Sequence, residues 1–393
     1  MSGQIAIIGT GYVGLTTGAY LAHLGHQVVC ADVVPEKVDR LNRGDVPIHE
    51  AGLDDMVRAG IEGRRLRFVL GAAAAVEGSE FVFLCLPTPQ GEDGSADMSY
   101  VESVAKEIGP LLAPETCVIN KSTVPVGSNR QVAQLLGRDD VYVVSNPEFL
   151  REGSAVHDSL HPDRIVIGCD DQAAAARVGA LFEHLQAPLI VTDPATAETI
   201  KYASNAFLAT KVSFINAVAQ FCELAGADVR DVVLGMGYDK RIGFEFLRPG
   251  PGYGGSCFPK DAKALMRMSE EVGYDFDFLR AVVEVNERQY DRIADKVETM
   301  AGGDLGGRTV AALGLAFKAR TDDTRESPAL HVIERLLARG AAVRAYDPVA
   351  TTDRDGVLVC TDAYEALIGA DVAVARYRRQ PRLAAIEVAA RVI

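Results

Sequence analysis

The stretch Gly9-Thr10-Gly11-Tyr12-Val13-Gly14, which follows a strand-like run at 4–8 and opens a helix, decides the fold prediction. In such a unit the first glycine permits a tight turn, the second lets the backbone approach a pyrophosphate, and the third lets helix and strand pack closely. Unpaired N–H groups at the start of the helix favour phosphate. The sequence therefore predicts a dinucleotide site along this stretch, including Tyr12 and Val13.

An acidic residue indicates which dinucleotide binds. Asp32 ends the next strand-like run, 18 residues beyond Gly14. A carboxylate there accepts hydrogen bonds from ribose hydroxyls and repels a 2′-phosphate, so we predict NAD rather than NADP. The competing interpretation is a glycine turn with a surface aspartate, and the strand–glycine–helix context argues against it. Thr88 follows a later strand candidate, where a loop would meet the cofactor.

Short β-rich runs alternate with stretches of helical length through the first half of the chain, which predicts a parallel, doubly wound sheet. The strand candidates lie at 5–8, 27–31, 81–86, 116–121, 141–145 and 164–168. The pattern restarts with strand-like runs at 309–317 and 341–347 around a helix at 328–339. We therefore predict an α/β protein of two Rossmann-like doubly wound domains, 1–193 and 301–393, joined by a long central helix and a helical middle domain, 194–300.

The central helix begins at a clear signal. Asp193 can cap it, Pro194 suits its first turn, and no glycine or proline follows until after Ala225. Apolar residues recur along it every seven positions, at Ile200, Phe207, Phe214 and Phe221, with Ala203, Thr210, Ala217 and Leu224 three positions later. This seam predicts either a helix buried in the core or a subunit interface.

Charge and cysteine usage exclude several classes of protein. The 393 residues carry a formal net charge of -14, which argues against a nucleic-acid or anionic-membrane surface. The seven cysteines are odd in number and contain no C-x-x-C pair, which predicts reduced thiols in the cytoplasm. No apolar run approaches 18 residues, so we expect no membrane span, and no basic leader precedes the first strand.

The most informative chemical stretch is Gly254-Gly255-Ser256-Cys257-Phe258-Pro259-Lys260-Asp261. The glycine pair allows close backbone approach to a ligand, and Pro259 suits the first turn of a helix that ends near Gly273. Cys257 would lie at the positive end of that helix, with a lysine and an aspartate nearby. A buried, inert thiol is the usual alternative, but glycines and charged residues surround this cysteine.

Three further segments have the character of ligand loops or faces. Residues 146–153 (NPEFLREG) and 121–125 (KSTVP) each follow a strand candidate. Lys201 and Asn205 are four apart and share one face of the central helix. His157 and His161 are also four apart, but no third ligand is evident, so we expect no metal site.

Together, the motifs at 9–14, 121–124, 146–153, 198–207 and 252–261 resemble those of the UDP-glucose/GDP-mannose dehydrogenase family. The segments 162–168, 201–216 and 241–243 resemble its UDP-glucose 6-dehydrogenase branch, and the resemblance covers residues 3–375. It implies a four-electron oxidation of UDP-glucose to UDP-glucuronate with two NAD, in a homodimer or higher homo-oligomer. A cysteine thiohemiacetal and a thioester would be the intermediates, because an aldehyde has no hydride to give until a nucleophile adds.

The resemblance also implies roles for individual residues. Cys257 would be the nucleophile, and Lys201 and Asn205 would stabilise oxyanions. Asp261 would orient the water or Lys201, Glu148 would assist proton transfer, and Thr123 would hold a water. Further cofactor contacts would come from Lys37, Thr88, Glu152, Lys260 and Arg325. Further substrate contacts would come from Phe149, Leu150, Arg151, Glu152, Phe246, Leu247, Tyr253, Gly254 and Lys318, and from Arg241 across a dimer interface.

One segment departs from the family pattern. After Ala375 the sequence becomes rich in arginine, with five arginines among the last 18 residues. We hypothesise a shifted reading frame in a GC-rich gene, which would alter the last strand and impair activity; simple divergence is the alternative.

Other functions stay open at this stage. A GDP-mannose or other nucleotide-sugar dehydrogenase shares most of these motifs. A β-hydroxyacid dehydrogenase also pairs a lysine with an asparagine on a long helix, but it performs one oxidation and needs no thiol. A non-catalytic nucleotide-binding homologue is the third alternative.

Overall fold

The computed structural model describes residues 4–91, 93–375 and 391–392. The chain divides into two compact units, Met1–Ala203 and Ser204–Ile393. The altered segment that we predict after Ala375 lies outside the described residues, except for 391–392.

The first unit has an α/β fold, in which helices cover both faces of one eight-stranded sheet. Its strands are β1 (Gln4–Ile8), β2 (Gln27–Asp32), β3 (Leu66–Leu70), β4 (Phe81–Leu84), β5 (Cys117–Asn120), β6 (Tyr142–Ser145), β7 (Ile165–Gly168) and β8 (Leu189–Thr192). Its helices are α1 (Tyr12–His23), α2 (Pro35–Asn42), α3 (Leu53–Glu62), α4 (Ala73–Val76), α5 (Ser99–Ile108), α6 (Ser128–Leu136), α7 (Ala155–Leu160) and α8 (Gln172–Ala180).

The strand order β3-β2-β1-β4-β5-β6-β7-β8 is parallel except between β6 and β7. The order reverses direction between β1 and β4, and ligands of such sheets bind at the carboxyl ends of the strands at this switch point. Both faces of β1 are buried, because Ile5 and Ile7 pack into one apolar cluster while Ala6 and Ile8 pack into another. The doubly wound architecture predicted for this half is confirmed.

Helix α9 (Pro194–Ala225) begins at the predicted residue. Asp193 Oδ1 accepts a hydrogen bond from Thr196 N at 2.9 Å, which satisfies one of the open amides of the first turn. Glu198 on this helix caps a second helix, because its buried carboxylate accepts from Gly127 N at 2.6 Å and Asn129 N at 2.9 Å at the start of α6.

The apolar seam of α9 is not covered within the described chain. Phe207, Phe214 and Phe221 are 64%, 51% and 68% exposed. The opposite side of the helix is buried, and it includes Ala209, Ser213 and Asn216. The interpretation of the seam as part of the protein core is therefore wrong.

The second unit contains a smaller, all-parallel sheet in the order β11-β10-β9-β12-β13. Its strands are β9 (Thr309–Leu313), β10 (Ala342–Tyr346), β11 (Val357–Val359), β12 (Val372–Ala375) and β13 (Arg391–Val392). Its further helices are α10 (Val229–Gly237), α11 (Phe258–Glu271), α12 (Asp277–Met300), α13 (Pro328–Ala338) and α14 (Ala363–Leu367). Of the helices in the described ranges, none combines the length and the apolar composition that crossing a bilayer needs.

Candidate active site

In the turn between β1 and α1, two glycines are required by the packing of the protein itself and a third is not. A Cβ on Gly9, whose φ is +96°, would overlap the Cys85 carbonyl, and a Cβ on Gly14 would overlap the Gly9 carbonyl. A Cβ on Gly11 would meet nothing within 4 Å. The open space beside Gly11, at the N-terminus of a 12-residue helix, fits the pyrophosphate of a dinucleotide.

Asp32 lies at the end of β2, beside this turn. Its Oδ2 accepts from Thr10 N at 3.2 Å, from the Thr10 hydroxyl and from Lys37 Nζ at 2.8 Å, and its Oδ1 accepts from Val34 N at 3.2 Å. Burial opposes ionisation, but the hydrogen bonds from Lys37 and Thr10 hold the pKa of Asp32 below its ordinary value. An ionised acceptor here suits ribose hydroxyls and disfavours a 2′-phosphate.

The loops after β4 and β5 meet at the same edge of the sheet. Thr88 Oγ1 donates to the Thr123 carbonyl at 2.9 Å, so these two predicted residues lie together. Thr123 also borders a small cavity of about 10 Å³ that Asn120, Glu198 and Lys201 help to line. A cavity of this size accommodates about one water molecule.

A buried ion pair joins the loop after β6 to helix α9. Lys201 Nζ donates to Glu148 Oε1 at 2.8 Å and to the Glu148 carbonyl at 2.6 Å, and Leu150 N donates to Glu148 Oε2 at 2.6 Å. Both charged side chains are buried. Burial acts to raise the pKa of Glu148, but the adjacent Lys201 charge outweighs burial and the pKa lies below its ordinary value. Phe149 lies against this pair, with its ring centre 5.5 Å from Lys201 Nζ.

Two cationic side chains lie beside the loop that carries Glu148, and neither of them was assigned a role from the sequence. Lys121 is buried, and its Nζ donates to Asn146 Oδ1 at 2.9 Å; burial lowers its pKa to about 8. The Arg164 guanidinium stacks over the Phe149 ring at 3.6 Å. Both residues stand at the end or start of strand candidates, but residue type and spacing did not distinguish them from surface cations.

Cys257 is exposed, whereas the other cysteines of the described chain are buried. It is the residue directly before α11, so the partial positive charge of a 14-residue helix lies beside its sulfur. Its Sγ lies 3.6 Å from Ser256 Oγ. The predicted position of Cys257 at the start of a helix is confirmed, and the reactivity of its thiol stays a prediction.

Asp261 lies one turn into the same helix and is 1% exposed. Its Oδ2 accepts from Asn205 Nδ2 at 2.6 Å, and its Oδ1 accepts from Lys260 Nζ at 2.6 Å. Its backbone N donates to the Cys257 carbonyl at 2.8 Å. The second unit thus brings together four of the predicted residues: Asn205, Cys257, Lys260 and Asp261.

The turn before Cys257 packs tightly on the loop after β9. A Cβ on Gly254 would overlap the Glu326 carbonyl, and Gly255 N donates to the Arg325 carbonyl at 3.1 Å. Tyr253 is buried, and its backbone N donates to Asn286 Oδ1 at 2.8 Å. The absence of a side chain at Gly254 is therefore required by the protein's own packing.

The remaining predicted residues have varied surroundings. Arg151 pairs with Asp158 at 2.5 Å, Arg241 with Asp239 at 2.6 Å and Arg325 with Asp323 at 2.7 Å, and all three arginines are exposed. Lys318 Nζ lies 5.3 Å from the ring centre of Phe317. Glu152 is partly buried directly before Gly153, Leu247 is buried, and Phe246 adopts a φ of +63° with its ring against Phe258.

Comparison with known proteins identifies the family. The models of the UDP-glucose/GDP-mannose dehydrogenase family match the NAD-binding domain at 3–186, the central domain at 195–288 and the UDP-binding domain at 311–380. The chain belongs to the UDP-glucose/GDP-mannose dehydrogenase family. The resemblance found in the motifs is confirmed, and the match to the family's NAD-binding domain includes the Gly9–Gly14 turn and Asp32.

Individual relatives agree with this assignment. UDP-glucose 6-dehydrogenase TuaD of Bacillus subtilis (strain 168) is 46% identical over 378 residues, covering 94% of this chain and 82% of that protein. A UDP-glucose 6-dehydrogenase of Pseudomonas aeruginosa is 46% identical over 362 residues, covering 88% of this chain and 79% of that protein. The structure of a UDP-glucose dehydrogenase from Pyrobaculum islandicum matches with a TM-score of 0.94 at 38% identity, covering 100% of this chain and 94% of that one.

We predict that Asp32 disfavours NADP and that a double substitution relaxes this preference. Asp32→Ala with Val33→Arg, at a position 80% exposed, should improve the NADP-to-NAD ratio of kcat/KM by about 10- to 100-fold, because one charge-assisted hydrogen bond contributes about 1.5–3 kcal/mol. Initial rates with each cofactor measure the ratio. Val33→Arg alone is the control and should stay NAD-selective; equal rates with both cofactors in the unmodified protein would contradict the assignment.

Proposed function

We propose that this chain is a UDP-glucose 6-dehydrogenase that oxidises the C6 primary alcohol to a carboxylate with two NAD. The exposed Cys257 thiol carries the proposal, because the second of two successive oxidations needs a nucleophile on the enzyme. The identity of the substrate rests on the UDP-glucose 6-dehydrogenases named above. We place the reaction in the cytoplasm, where thiols stay reduced.

The first half-reaction converts the alcohol to an aldehyde. The alcohol loses a hydride from C6 and a proton from its hydroxyl group in separate transfers. NAD supplies the hydride acceptor when it is bound at the Gly9–Gly14 turn. Lys201 and Asn205, one turn apart on α9, would stabilise the oxygen as its charge changes. Glu148, which already accepts a hydrogen bond from Lys201 Nζ, would take up the proton of the alcohol and pass it to water.

The second half-reaction depends on covalent chemistry. The Cys257 sulfur adds to the aldehyde carbon while a proton reaches the oxygen, which gives a thiohemiacetal. The thiohemiacetal becomes a thioester when it loses a hydride, for which the second NAD would be the acceptor, and its hydroxyl proton. Water attacks the thioester, releasing the carboxylate and restoring the thiol. Asp261 would orient Asn205 and that water, and Thr123 would hold a water at the edge of its cavity.

The binding roles extend to residues around these groups. The sugar and uridine would contact Phe149, Leu150, Arg151, Glu152, Phe246, Leu247, Tyr253, Gly254 and Lys318. The cofactor would contact Tyr12, Val13, Asp32, Lys37, Thr88, Thr123, Glu152, Lys260 and Arg325.

We further propose a homodimer in which the α9 seam is the interface. The exposed phenylalanines on one side of α9 form an apolar strip of a kind that monomeric proteins rarely leave uncovered. Arg241, exposed in the single chain, would contact substrate in the other copy.

Cys257 variants test the mechanism. Cys257→Ala should stop at the aldehyde level or return the aldehyde to alcohol, because no thioester can form. Cys257→Ser should form an ester that hydrolyses more slowly than a thioester, so a covalent adduct should accumulate. Mass spectrometry after incubation with UDP-glucose and NAD should show Cys257→Ser enlarged by one sugar nucleotide. Unchanged glucuronate production by Cys257→Ala would remove the thiol from the mechanism.

The proposed dimer has its own test. Light scattering at micromolar concentration should give twice the chain mass for the unmodified protein. A Phe207→Ser, Phe214→Ser, Phe221→Ser variant should be monomeric, because each buried phenylalanine contributes about 1.5–3 kcal/mol to association. Phe278→Ser is the matched control, since Phe278 is 62% exposed on α12, and should remain dimeric. A monomeric mass for the unmodified protein would contradict both the interface and the role of Arg241.

A further inference from the structure

The side chain of Glu50 connects two loops that are distant in sequence. Glu50 lies between α2 and α3 and is 6% exposed. Its Oε2 accepts from the Tyr12 hydroxyl and from Gly153 N at 2.7 Å, and its Oε1 accepts from Ala155 N at 2.9 Å. Gly153 N also reaches the Tyr12 hydroxyl at 3.1 Å. One carboxylate therefore holds the start of α1 and the start of α7 at the same point.

Both of these positions adjoin proposed ligand contacts. Tyr12 is the first residue of α1 and directly follows Gly11, beside the space that fits the pyrophosphate. Gly153 directly follows Glu152, the last residue of the loop proposed for the nucleotide sugar. Gly153 has a φ of +79°, so the chain turns sharply where that loop is tied to Glu50.

The donors that reach the Glu50 carboxylate are the Tyr12 hydroxyl and the backbone amides of Gly153 and Ala155. Burial, and then the neighbouring Glu50 carboxylate, raise the pKa of Tyr12 above its ordinary value, so the phenol stays protonated and donates. Glu50 and Ala155 are buried, and Tyr12 and Gly153 are partly buried. A shift of either loop would therefore break hydrogen bonds that water cannot fully replace. A ligand that orders one loop therefore favours the ordered position of the other.

We propose that Glu50 is a positioning residue that couples dinucleotide binding to nucleotide-sugar binding. The inference rests on the function proposed above, in which the Gly9–Gly14 turn binds the cofactor and residues 149–152 bind the nucleotide sugar, with Glu152 reaching both ligands. Linkage requires the coupling to be reciprocal: each ligand must raise the affinity for the other by the same factor.

Calorimetric titration measures this coupling without turnover. UDP-glucose is titrated into the protein with and without saturating NADH, which is already reduced and cannot accept a hydride. The ratio of the two dissociation constants is the coupling factor, and NADH titrated with and without UDP-glucose must return the same value. We expect NADH to tighten UDP-glucose binding in the unmodified protein by about 5-fold or more.

Two substitutions interrupt the connection at different places. Glu50→Gln should bring the coupling factor close to 1, and Tyr12→Phe, which keeps the bonds from Glu50 to Gly153 and Ala155, should lower it as well. The double variant should lose no more coupling than Glu50→Gln alone, because both act on one network. Glu62→Gln, on an exposed residue of α3, is the matched control and should keep the unmodified factor.

The outcomes separate this inference from the proposed function. If the unmodified protein binds neither ligand, the proposed function fails and the inference fails with it. If both ligands bind without affecting each other's affinity, only the inference is overturned. The same holds if Tyr12→Phe and folded Glu50→Gln keep the coupling factor of the unmodified protein. A general structural defect would weaken both affinities and leave their coupling unchanged, so it also counts against the role of Glu50.

Discussion

The close approach of backbone to backbone at the turn after β1 is the constraint on which the first unit depends. Gly9 and Gly14 permit it, since a methyl group on either would overlap a carbonyl of the β4 loop or of the turn itself. The turn places the N-terminus of α1 over the carboxyl ends of β1 and β4, where the strand order reverses. Gly11 then faces open space, and Asp32 ends the neighbouring strand beside it.

Each unit holds a buried carboxylate whose two oxygens both accept hydrogen bonds, one of them from a side chain that we propose stabilises the reacting oxygen. Glu148 accepts from Lys201 and from a backbone amide, and Asp261 accepts from Asn205 and Lys260. Burying charges is unfavourable unless such partners are fixed in advance, so these groups are already oriented before a substrate arrives. Helix α9 carries both Lys201 and Asn205, one turn apart.

Local sequence signals predicted where the main functional helices begin. A glycine turn after an apolar run, Asp193-Pro194 before a long periodic stretch and Pro259 after Cys257 each mark an element start, and the structure begins α1, α9 and α11 within one or two residues of them. Strands β3 and β8 were missed because β3 carries Arg67 within its apolar run and β8 is a short, partly exposed strand at the sheet edge.

The roles of Lys121, Arg164 and Glu50 could not be predicted, because their partners are set by tertiary packing. The Tyr12 hydroxyl lies 38 residues from Glu50 in sequence, and Ala155 lies 105 residues away. The seam of α9 shows a related limit: seven-residue periodicity indicates that a face is apolar, but the same pattern fits a core and an interface.

The stoichiometry of the reaction tests the central claim most directly. A limiting amount of UDP-glucose is consumed with excess NAD, and the NADH formed is read from its absorbance. The account predicts two NADH for each UDP-glucose, with UDP-glucuronate as the product. One NADH for each UDP-glucose, with the aldehyde as the product, would contradict the two-step oxidation through Cys257.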